Sequence, residues 1–417
     1  MKKIYSLNYL QSFSFIIFFF LIVTNHYIDF GDINSVGLPQ PISLSWPVTY
    51  SDQIQYLMII ESAPDFPDTE IHANQAQRFF FPYIIGIFLE LLGLKEYIYI
   101  IFIFLNILLN LLIIHTFLRI LNYLGATKNF SLIIISLLIL NPYIFRVSLT
   151  APLMISDYIF TYGYLLIAFY FLTKKINLFY IGLILCCLSR QTSLILNFIF
   201  LLIIIHKIFL KNNFKITTLF YGILINILIF FITKFIGSKF SVINLQLLID
   251  TVGGILAFNY SVLELFLFFA RLLIANMAIF ILLTMLVLNL SLYKKLFKFE
   301  LLLIFLLAIS LWSQPIMGGP SYTGGNISRL TLLSFPVFLT FFIMIFKNLE
   351  IQLFDTKVII SLLLLSSINH QTTRIFDYFF MYHVKHFTLI TLFSYFAILL
   401  ILLKNHKLIY FNRNKEY

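Results

Sequence analysis

Long apolar runs, each separated from the next by a few charged residues, dominate this sequence and restrict what it can fold into. Many of these runs approach the length of about 20 residues that a helix needs to cross a bilayer. In lipid every backbone N–H and C=O must be satisfied internally, so only helices and closed barrels can span. Barrel strands alternate over about 10 residues, whereas these runs are continuously apolar. The sequence therefore predicts an all-α integral membrane protein, a helical bundle.

Composition agrees with a membrane solvent and excludes some partners. Only 11% of the 417 residues are charged and 61% are hydrophobic, whereas a soluble domain has about 25% charged residues. The net charge of +11 comes from loop lysines, and no basic stripe interleaved with aromatics is present, so we expect no nucleic acid partner. Cys186 and Cys187 are adjacent in an apolar run, which predicts small core residues rather than a disulfide framework.

The apolar runs divide residues 1–417 into about 12 expected spans of a single polytopic domain. Lys2 and Lys3 place the amino terminus in the cytoplasm, both termini are then inside, and the first helix is expected to stay uncleaved. We expect a first periplasmic loop with short amphipathic or re-entrant helices at 29–96, core transmembrane helices at 97–210, and C-terminal helices at 211–417 with a glycine-rich periplasmic loop at 315–328. The expected spans lie at about 11–28, 97–120, 130–145, 153–172, 177–189, 192–206, 216–236, 261–290, 300–315, 327–346, 357–370 and 387–403.

The basic residues are distributed unequally between the two sides of this topology. Of the 28 lysines and arginines, 18 fall on the cytoplasmic side and 10 on the outer side, as the positive-inside rule requires. Six of the 10 outer residues are arginine, whereas 16 of the 18 inner residues are lysine. Arginine's planar fork binds phosphate in a bidentate way that lysine does not. The outer arginines therefore indicate a phosphate-bearing ligand, with chance and snorkelling to the interface as the alternative.

The first outer segment, from Asp29 to about Gln77, contains seven of the 17 acidic residues. The pattern from Ser51 to Glu61 predicts a short helix with Ser51 as its N-cap. Asp52 would then lie in the first turn, where the helix dipole favours an ionised carboxylate able to accept a proton from a hydroxyl. The alternative is that Asp52 merely begins a surface helix. After it, Phe79 to Leu94 is too short for a span and is expected to be re-entrant or interfacial.

Two further polar stretches interrupt apolar sequence on the outer side. Ser189, Arg190 and Gln191 form a polar island that is expensive in lipid, which makes it a functional-site hypothesis. The alternative is that Arg190 pairs with Asp157 to stabilise packing, and the short spans on either side of Arg190 could also form one broken element. Residues 312–329 read WSQPIMGGPSYTGGNISR, and such glycine-rich backbone before a helix can bind an anion, with Arg329 clamping a lipid phosphate. The same stretch could equally be an ordinary loop.

The layout of the first 200 residues resembles the GT-C superfamily of glycosyltransferases. The features shared are a long first outer loop with an acidic residue, an Arg-x-x-x-Pro stretch at Arg78 and Pro82, and many further spans. Members of that superfamily take sugars from polyprenyl or dolichyl phosphate on the non-cytoplasmic face. The resemblance implies that Asp52 is a catalytic base or a metal ligand and that Arg329 lies near the donor phosphate. No Asp-x-Asp or paired acidic motif is present, and Asp52 is followed by Gln53.

The sequence therefore predicts a GT-C-like, inverting glycosyltransferase of a bacterial inner membrane, active on the periplasmic face. Its donor would be a polyprenyl-phosphate sugar and its acceptor a hydroxyl on a glycan, lipid or protein, with Asp52 as general base. The sequence defines no cofactor, although the resemblance allows a divalent cation such as Mg²⁺ or Mn²⁺. The donor phosphate is expected at Arg78, Arg190, Arg271 and Arg329, and the sugar or acceptor at Tyr56, Glu61, Gln77, Asp157 and Gln191.

Two alternatives stay open. A polysaccharide polymerase of the O-antigen type also has many spans and a lipid-linked substrate, although such enzymes usually have their large outer loop late in the chain. A lipid-linked oligosaccharide flippase, or another transporter of about 12 helices, belongs to a different class. A transporter should show internal repeats and charges deep inside several helices, and neither is evident here.

Overall fold

The computed structural model describes residues 47–68, 71, 73–126, 152–210, 216–240, 299–314 and 333–349, with isolated positions between 131 and 148, between 262 and 269, and at 316, 330 and 331. Every element in this described part is helical. The α-helices are α1 (Pro47–Ser62), α2 (Ala73–Ala76), α3 (Phe80–Leu91), α4 (Ile98–Tyr123), α5 (Ile155–Thr173), α6 (Ile176–Ser189), α7 (Ile195–Leu210), α8 (Ile216–Gly237), α9 (Phe299–Trp312) and α10 (Phe335–Leu349), and 3₁₀-helices lie at Lys95–Tyr97, Pro152–Met154 and Gln191–Leu194.

Among the described residues, three helical segments are long and apolar enough to cross a membrane: Lys95–Tyr123, Pro152–Thr173 and Ile216–Gly237. They confirm the helices predicted at 97–120, 153–172 and 216–236. The apolar helices α3, α6, α7, α9 and α10 are shorter. The spans predicted at 11–28, 357–370 and 387–403 lie outside the described residues, as do most of those at 130–145 and 261–290.

Helix α5 is the centre of the described bundle. It is the least hydropathic of the three long helices and is almost wholly buried by protein, whereas most of α8 is not. The exposed side of α8 includes Leu228, Phe231 and Phe235. An apolar surface of this kind is expected to face lipid, and a helix surrounded by protein can be more polar.

Two neighbours fix the direction of the chain around α5. Helix α4 runs parallel to it, because the Asn106 amide donates to the Pro152 carbonyl (2.8 Å) and the Tyr123 hydroxyl to the Leu172 carbonyl (2.8 Å). Helix α6 returns antiparallel after a two-residue turn and packs closely through glycine. A Cβ on Gly163 would lie 2.6 Å from the carbonyl oxygen of Gly182. The start of α5 and the end of α6 therefore meet at one end of the bundle.

Replacing Gly163 with alanine should destabilise the protein. Alanine favours a helix over glycine by ~1 kcal/mol, but its Cβ would lie 2.6 Å from both the Gly182 carbonyl oxygen and the Cys186 sulfur. Because backbone cannot move aside easily, we expect overpacking to win and to cost a net ~1–3 kcal/mol. Thermal unfolding in detergent, followed by circular dichroism, measures the change. Ile181→Val, on the exposed side of α6, is the control, and equal stability of Gly163→Ala and wild type would contradict the packing argument.

The chain reverses direction between α6 and α7, at Arg190. The rings of Phe179 and Phe200, at nearly equal distances along the chain on either side of Arg190, contact each other (centroids 5.4 Å apart). Gly222 of α8 lets that helix pack against both rings, since a Cβ there would lie 2.7 Å from Phe179. Of the two interpretations of this region, a pair of short helices is the one observed. Arg190 itself is extended (φ −151°, ψ 135°), which ends α6.

The first outer segment packs against the same end of the bundle. Helix α3 lies on α1, where a Cβ on Gly86 would meet the Ile60 carbonyl oxygen at 2.6 Å. The Lys95 ammonium donates to the carbonyls of Glu61 (2.6 Å) and Ala63 (2.8 Å), which ties the end of α1 to the start of α4. Four aromatic rings join the segment to the end of α8: Phe66, Phe79, Tyr83 and Phe240.

Helix α1 differs from the prediction in its start. It begins at Pro47, a residue whose fixed φ favours the first helical position, so Ser51 is not the N-cap. Asp52 consequently lies in the second turn rather than the first, and no acidic residue lies in the first turn. Stabilisation of the Asp52 carboxylate by the helix dipole is therefore weaker than the sequence suggested, because the dipole effect falls off after the first turn.

The two ends of the bundle differ in their charged groups. The lysine end, defined by Tyr123, Lys174, His206 and Glu300, has a Lys174–Glu300 ion pair (3.7 Å) and His206 stacked on Phe299. The arginine end, defined by Arg78, Asp157, Arg190 and Gln314, is at the opposite ends of the same helices. The assignment of these ends to cytoplasm and periplasm stays a prediction, and so does the division of lysine from arginine between the two sides of the membrane.

Candidate anion-binding site

A buried ion pair lies at the arginine end. The Arg190 Nε is 3.2 Å from the Asp157 Oδ1, and the two side chains are 2% and 4% exposed. The pairing expected from the sequence as a packing contact is therefore present. Removing one partner of such a pair is costly, because the other charge is left buried.

Three further groups surround Arg190. Arg78 brings a second guanidinium to within 3.9 Å of the same Asp157 oxygen. Gln314, at the end of α9, accepts a hydrogen bond from the Arg190 Nη1 through its Oε1 (3.3 Å). The Arg190 guanidinium also lies over the Phe160 ring (5.7 Å to the centroid). Among the described residues, the cluster contains two guanidinium groups and one carboxylate, and guanidinium groups favour an anion.

Local sequence places these side chains. Pro152 to Met154 forms the 3₁₀-helix that leads into α5, so Asp157 falls in the first turn of α5. A carboxylate is favoured there by the helix dipole. Arg190 occupies the break between α6 and the next 3₁₀-helix, with its N–H bonded to the Cys186 carbonyl (3.1 Å) and its carbonyl accepting from the Ser193 N–H (3.1 Å). The antiparallel packing of α5 and α6 then brings the two charges together.

Several polar atoms next to the ion pair have no hydrogen-bond partner among the described residues. They are the Ser156 Oγ, the Gln191 Oε1, the Thr192 Oγ1 and the Gln314 Nε2. Each buried polar group left unpaired costs about 1–3 kcal/mol, and native structures retain few of them. Three of these atoms belong to residues within two positions of Asp157 or Arg190, and the fourth belongs to Gln314, which is bonded to Arg190. Such a concentration of unpaired polar atoms is consistent with a polar ligand.

The structure brings together three of the residues that the sequence singled out: Arg78, Asp157 and Arg190. Gln77 is half-buried in the turn before Arg78, and Gln191 directly follows Arg190. Arg271 and Arg329 lie outside the described residues.

The predicted residues of α1 have different surroundings. Tyr56 is buried in the core, whereas Glu61 is exposed and its carbonyl accepts from Lys95. Asp52 belongs to α1, which packs against the 3₁₀-helix Pro152–Met154 just before Asp157. The contacts of the Asp52 side chain lie outside the described part of the chain.

Sequence reasoning missed two residues that the structure connects to this cluster. Gln314 follows the apolar run of α9 and was treated only as part of the glycine-rich stretch. Asn226 lies within the otherwise apolar α8, is fully buried, and bonds to the α6–α7 turn. A single amide inside a long apolar helix is the signal that could have identified Asn226.

The described residues do not fit the divalent cation that the resemblance allows. No three His, Cys, Asp or Glu side chains come together in this part of the chain. The one carboxylate of the cluster, Asp157, lies beside two guanidinium groups, which repel a cation.

Comparisons with protein-family models, with curated proteins and with solved structures find no match to this chain.

Proposed function

We propose that the chain is an inverting, GT-C-like membrane glycosyltransferase, which transfers a sugar from a polyprenyl-phosphate donor to an acceptor hydroxyl at the periplasmic face of a bacterial inner membrane. The observation that supports it best is the gathering of Arg78 and Arg190 around one buried carboxylate, Asp157. Arginine's fork matches phosphate oxygens. A site of this kind suits a lipid-linked phosphate.

The depth of the cluster supports a lipid substrate. Helix α6 has 14 residues and rises about 21 Å, less than the ~30 Å of a hydrocarbon core. With the lysine end at one membrane surface, the turn at Arg190 would lie below the other surface. A phosphate attached to a polyprenyl tail reaches that depth, whereas a soluble nucleotide sugar would have to leave water. An arginine inside a membrane is also a functional-site hypothesis in its own right.

The proposed reaction assigns each group a role. Asp52 accepts the proton of the acceptor hydroxyl, and the hydroxyl oxygen attacks the anomeric carbon from the face opposite the phosphate. The bond between the anomeric carbon and the phosphate oxygen breaks, and the polyprenyl phosphate leaves with the electron pair, so configuration inverts. Arg78 and Arg190 stabilise the negative charge that develops on the leaving phosphate. Fixed donors in a low-dielectric site are the largest source of rate enhancement for such steps.

Release of labelled polyprenyl phosphate from a panel of polyprenyl-phosphate sugars, by the full chain in detergent, tests the proposal. Release by the wild type that depends on an added acceptor would support it. No release from any donor and acceptor pair would overturn it. Movement of labelled lipid across liposomes without donor consumption would favour the transporter, and elongation of a lipid-linked glycan would favour the polymerase.

Arg78→Lys should lower the rate of this release by about 10–100-fold, since lysine keeps the charge but loses the bidentate fork. The matched control is Arg119→Lys, the same change at the lysine end, where Arg119 is exposed over the Phe169 ring. That control should retain wild-type turnover. Equal rates for Arg78→Lys and Arg119→Lys would remove Arg78 from the donor site.

A further inference from the structure

The amide of Asn226 is the centre of a hydrogen-bond network between α8 and the α6–α7 turn. Its Nδ2 donates to the Ser193 carbonyl (2.8 Å) and to the Asn197 Oδ1 (3.0 Å). Its Oδ1 accepts from the Ser193 hydroxyl (3.0 Å) and from the Cys187 thiol (3.1 Å). Asn226 is fully buried, and both ends of its amide are satisfied by the α6–α7 turn and the start of α7.

These partners lie on both sides of Arg190 in the sequence. Cys187 is in the last turn of α6, and Ser193 is in the 3₁₀-helix that follows Arg190. The Ser193 N–H also donates to the Arg190 carbonyl (3.1 Å). Asn226 is therefore bonded to the Cys187 thiol before Arg190 and to the Ser193 backbone carbonyl after it.

The surroundings of Asn226 make this contact specific to one face of α8. Gly222, one turn earlier on the same face, allows the close approach of α8 to the hairpin. The opposite face is apolar and exposed, as at Leu228. An amide in such a helix is costly unless it is hydrogen-bonded, and its only hydrogen bonds described are those to the turn and the first residues of α7.

We infer that Asn226 is a positioning residue, which fixes the Arg190 turn and so holds the Arg190 guanidinium in place for the anion. It does not itself contact the ligand. The inference rests on the proposed function only where activity is measured; its structural part can be tested without any substrate.

The native thiol provides the first test. The chain has two cysteines, so Cys186→Ala leaves Cys187 as the single reporter in the turn. In that background, Asn226→Leu should raise the rate of maleimide labelling of Cys187 about tenfold, since losing a buried hydrogen bond favours local opening by roughly that factor. Labelling is measured on the full chain in detergent, well below the unfolding temperature of each variant.

Thr233→Val is the matched control on the same helix. Thr233 is also buried, but its hydroxyl donates only within α8, to Ile229 (2.9 Å) and Phe230 (3.1 Å). In the Thr233→Val variant, the rate of maleimide labelling of Cys187 should stay near that of the parent. Equal rates for Asn226→Leu and Thr233→Val would overturn the role of Asn226 in holding the turn.

A double-mutant cycle on donor turnover gives the second test, because a purely structural role would not produce coupling. Asn226→Leu should lower kcat/KM about tenfold when Arg190 is present and cause no further loss in an Arg190→Lys background. Two independent losses that multiply would overturn the inference. If no donor is consumed by the parent but Cys187 labelling changes as expected, the proposed function fails and the fixing of the turn by Asn226 stands.

Discussion

Replacing Arg190 with methionine should lower the free energy of unfolding by about 3–5 kcal/mol and abolish glycosyl transfer. The substitution leaves the Asp157 carboxylate, 4% exposed, without the guanidinium at 3.2 Å. Arg78 is 3.9 Å from the same oxygen and compensates only in part. Chemical denaturation in mixed micelles and release of labelled polyprenyl phosphate measure the two effects.

A second substitution separates the structural loss from the functional one. Asp157→Val combined with Arg190→Met removes both charges, and replacing a buried pair by apolar groups is often neutral or stabilising. The double variant should therefore recover part of the lost stability, since Arg78 also loses this carboxylate, while turnover stays abolished. Arg119→Met at the exposed lysine end is the control and should change stability by less than ~1 kcal/mol. A double variant that still transfers sugar would exclude Arg190 from the reaction.

The sequence could predict helices and charge pairing, because both follow from strong local costs. Apolar length alone located the segments around α4, α5 and α8, since few other structures satisfy the backbone in lipid. A charged arginine inside apolar sequence is costly in free energy, which made Arg190 a candidate site residue. The nearest acidic residue on the same side was Asp157. Because an unpaired buried charge is costly, the two residues pair in the structure.

The faces of the helices could not be predicted in the same way. In a soluble protein an apolar stripe marks the core, but here lipid-facing and core-facing residues are both apolar. On α1, Tyr56, Ile59 and Ile60 are buried, whereas the equally apolar Ile54 is exposed.

Contacts between distant parts of the chain could not be predicted from the sequence either. Gln314 reaches Arg190 from 124 residues away, and neither residue has a local pattern that records this contact. The predicted start of α1 was wrong for a different reason. Ser51 is a typical N-cap residue, but Pro47 begins the helix one turn earlier. This correction moves Asp52, the proposed general base, from the first turn to the second turn of α1.

Asp52→Asn should reduce kcat for sugar transfer by about 10²–10⁴-fold, the usual contribution of a general base, without changing the unfolding temperature. Asparagine has nearly the same size and cannot accept the proton, so packing is retained and the chemical step is lost. Because the interaction acts in the transition state, kcat and kcat/KM should fall together while KM stays constant. Steady-state release of labelled polyprenyl phosphate, with melting curves in the same detergent, measures both quantities.

The pH dependence distinguishes a base from a binding group. With a carboxylate base, wild-type kcat should fall at acid pH as Asp52 is protonated, and the residual activity of Asp52→Asn should lack that acid limb. Asp68→Asn, an exposed acid of the same outer segment, should retain both the rate and the limb. The second-turn position of Asp52 in α1 gives its carboxylate less help from the helix dipole. Near wild-type turnover by Asp52→Asn would instead assign deprotonation of the acceptor to another group.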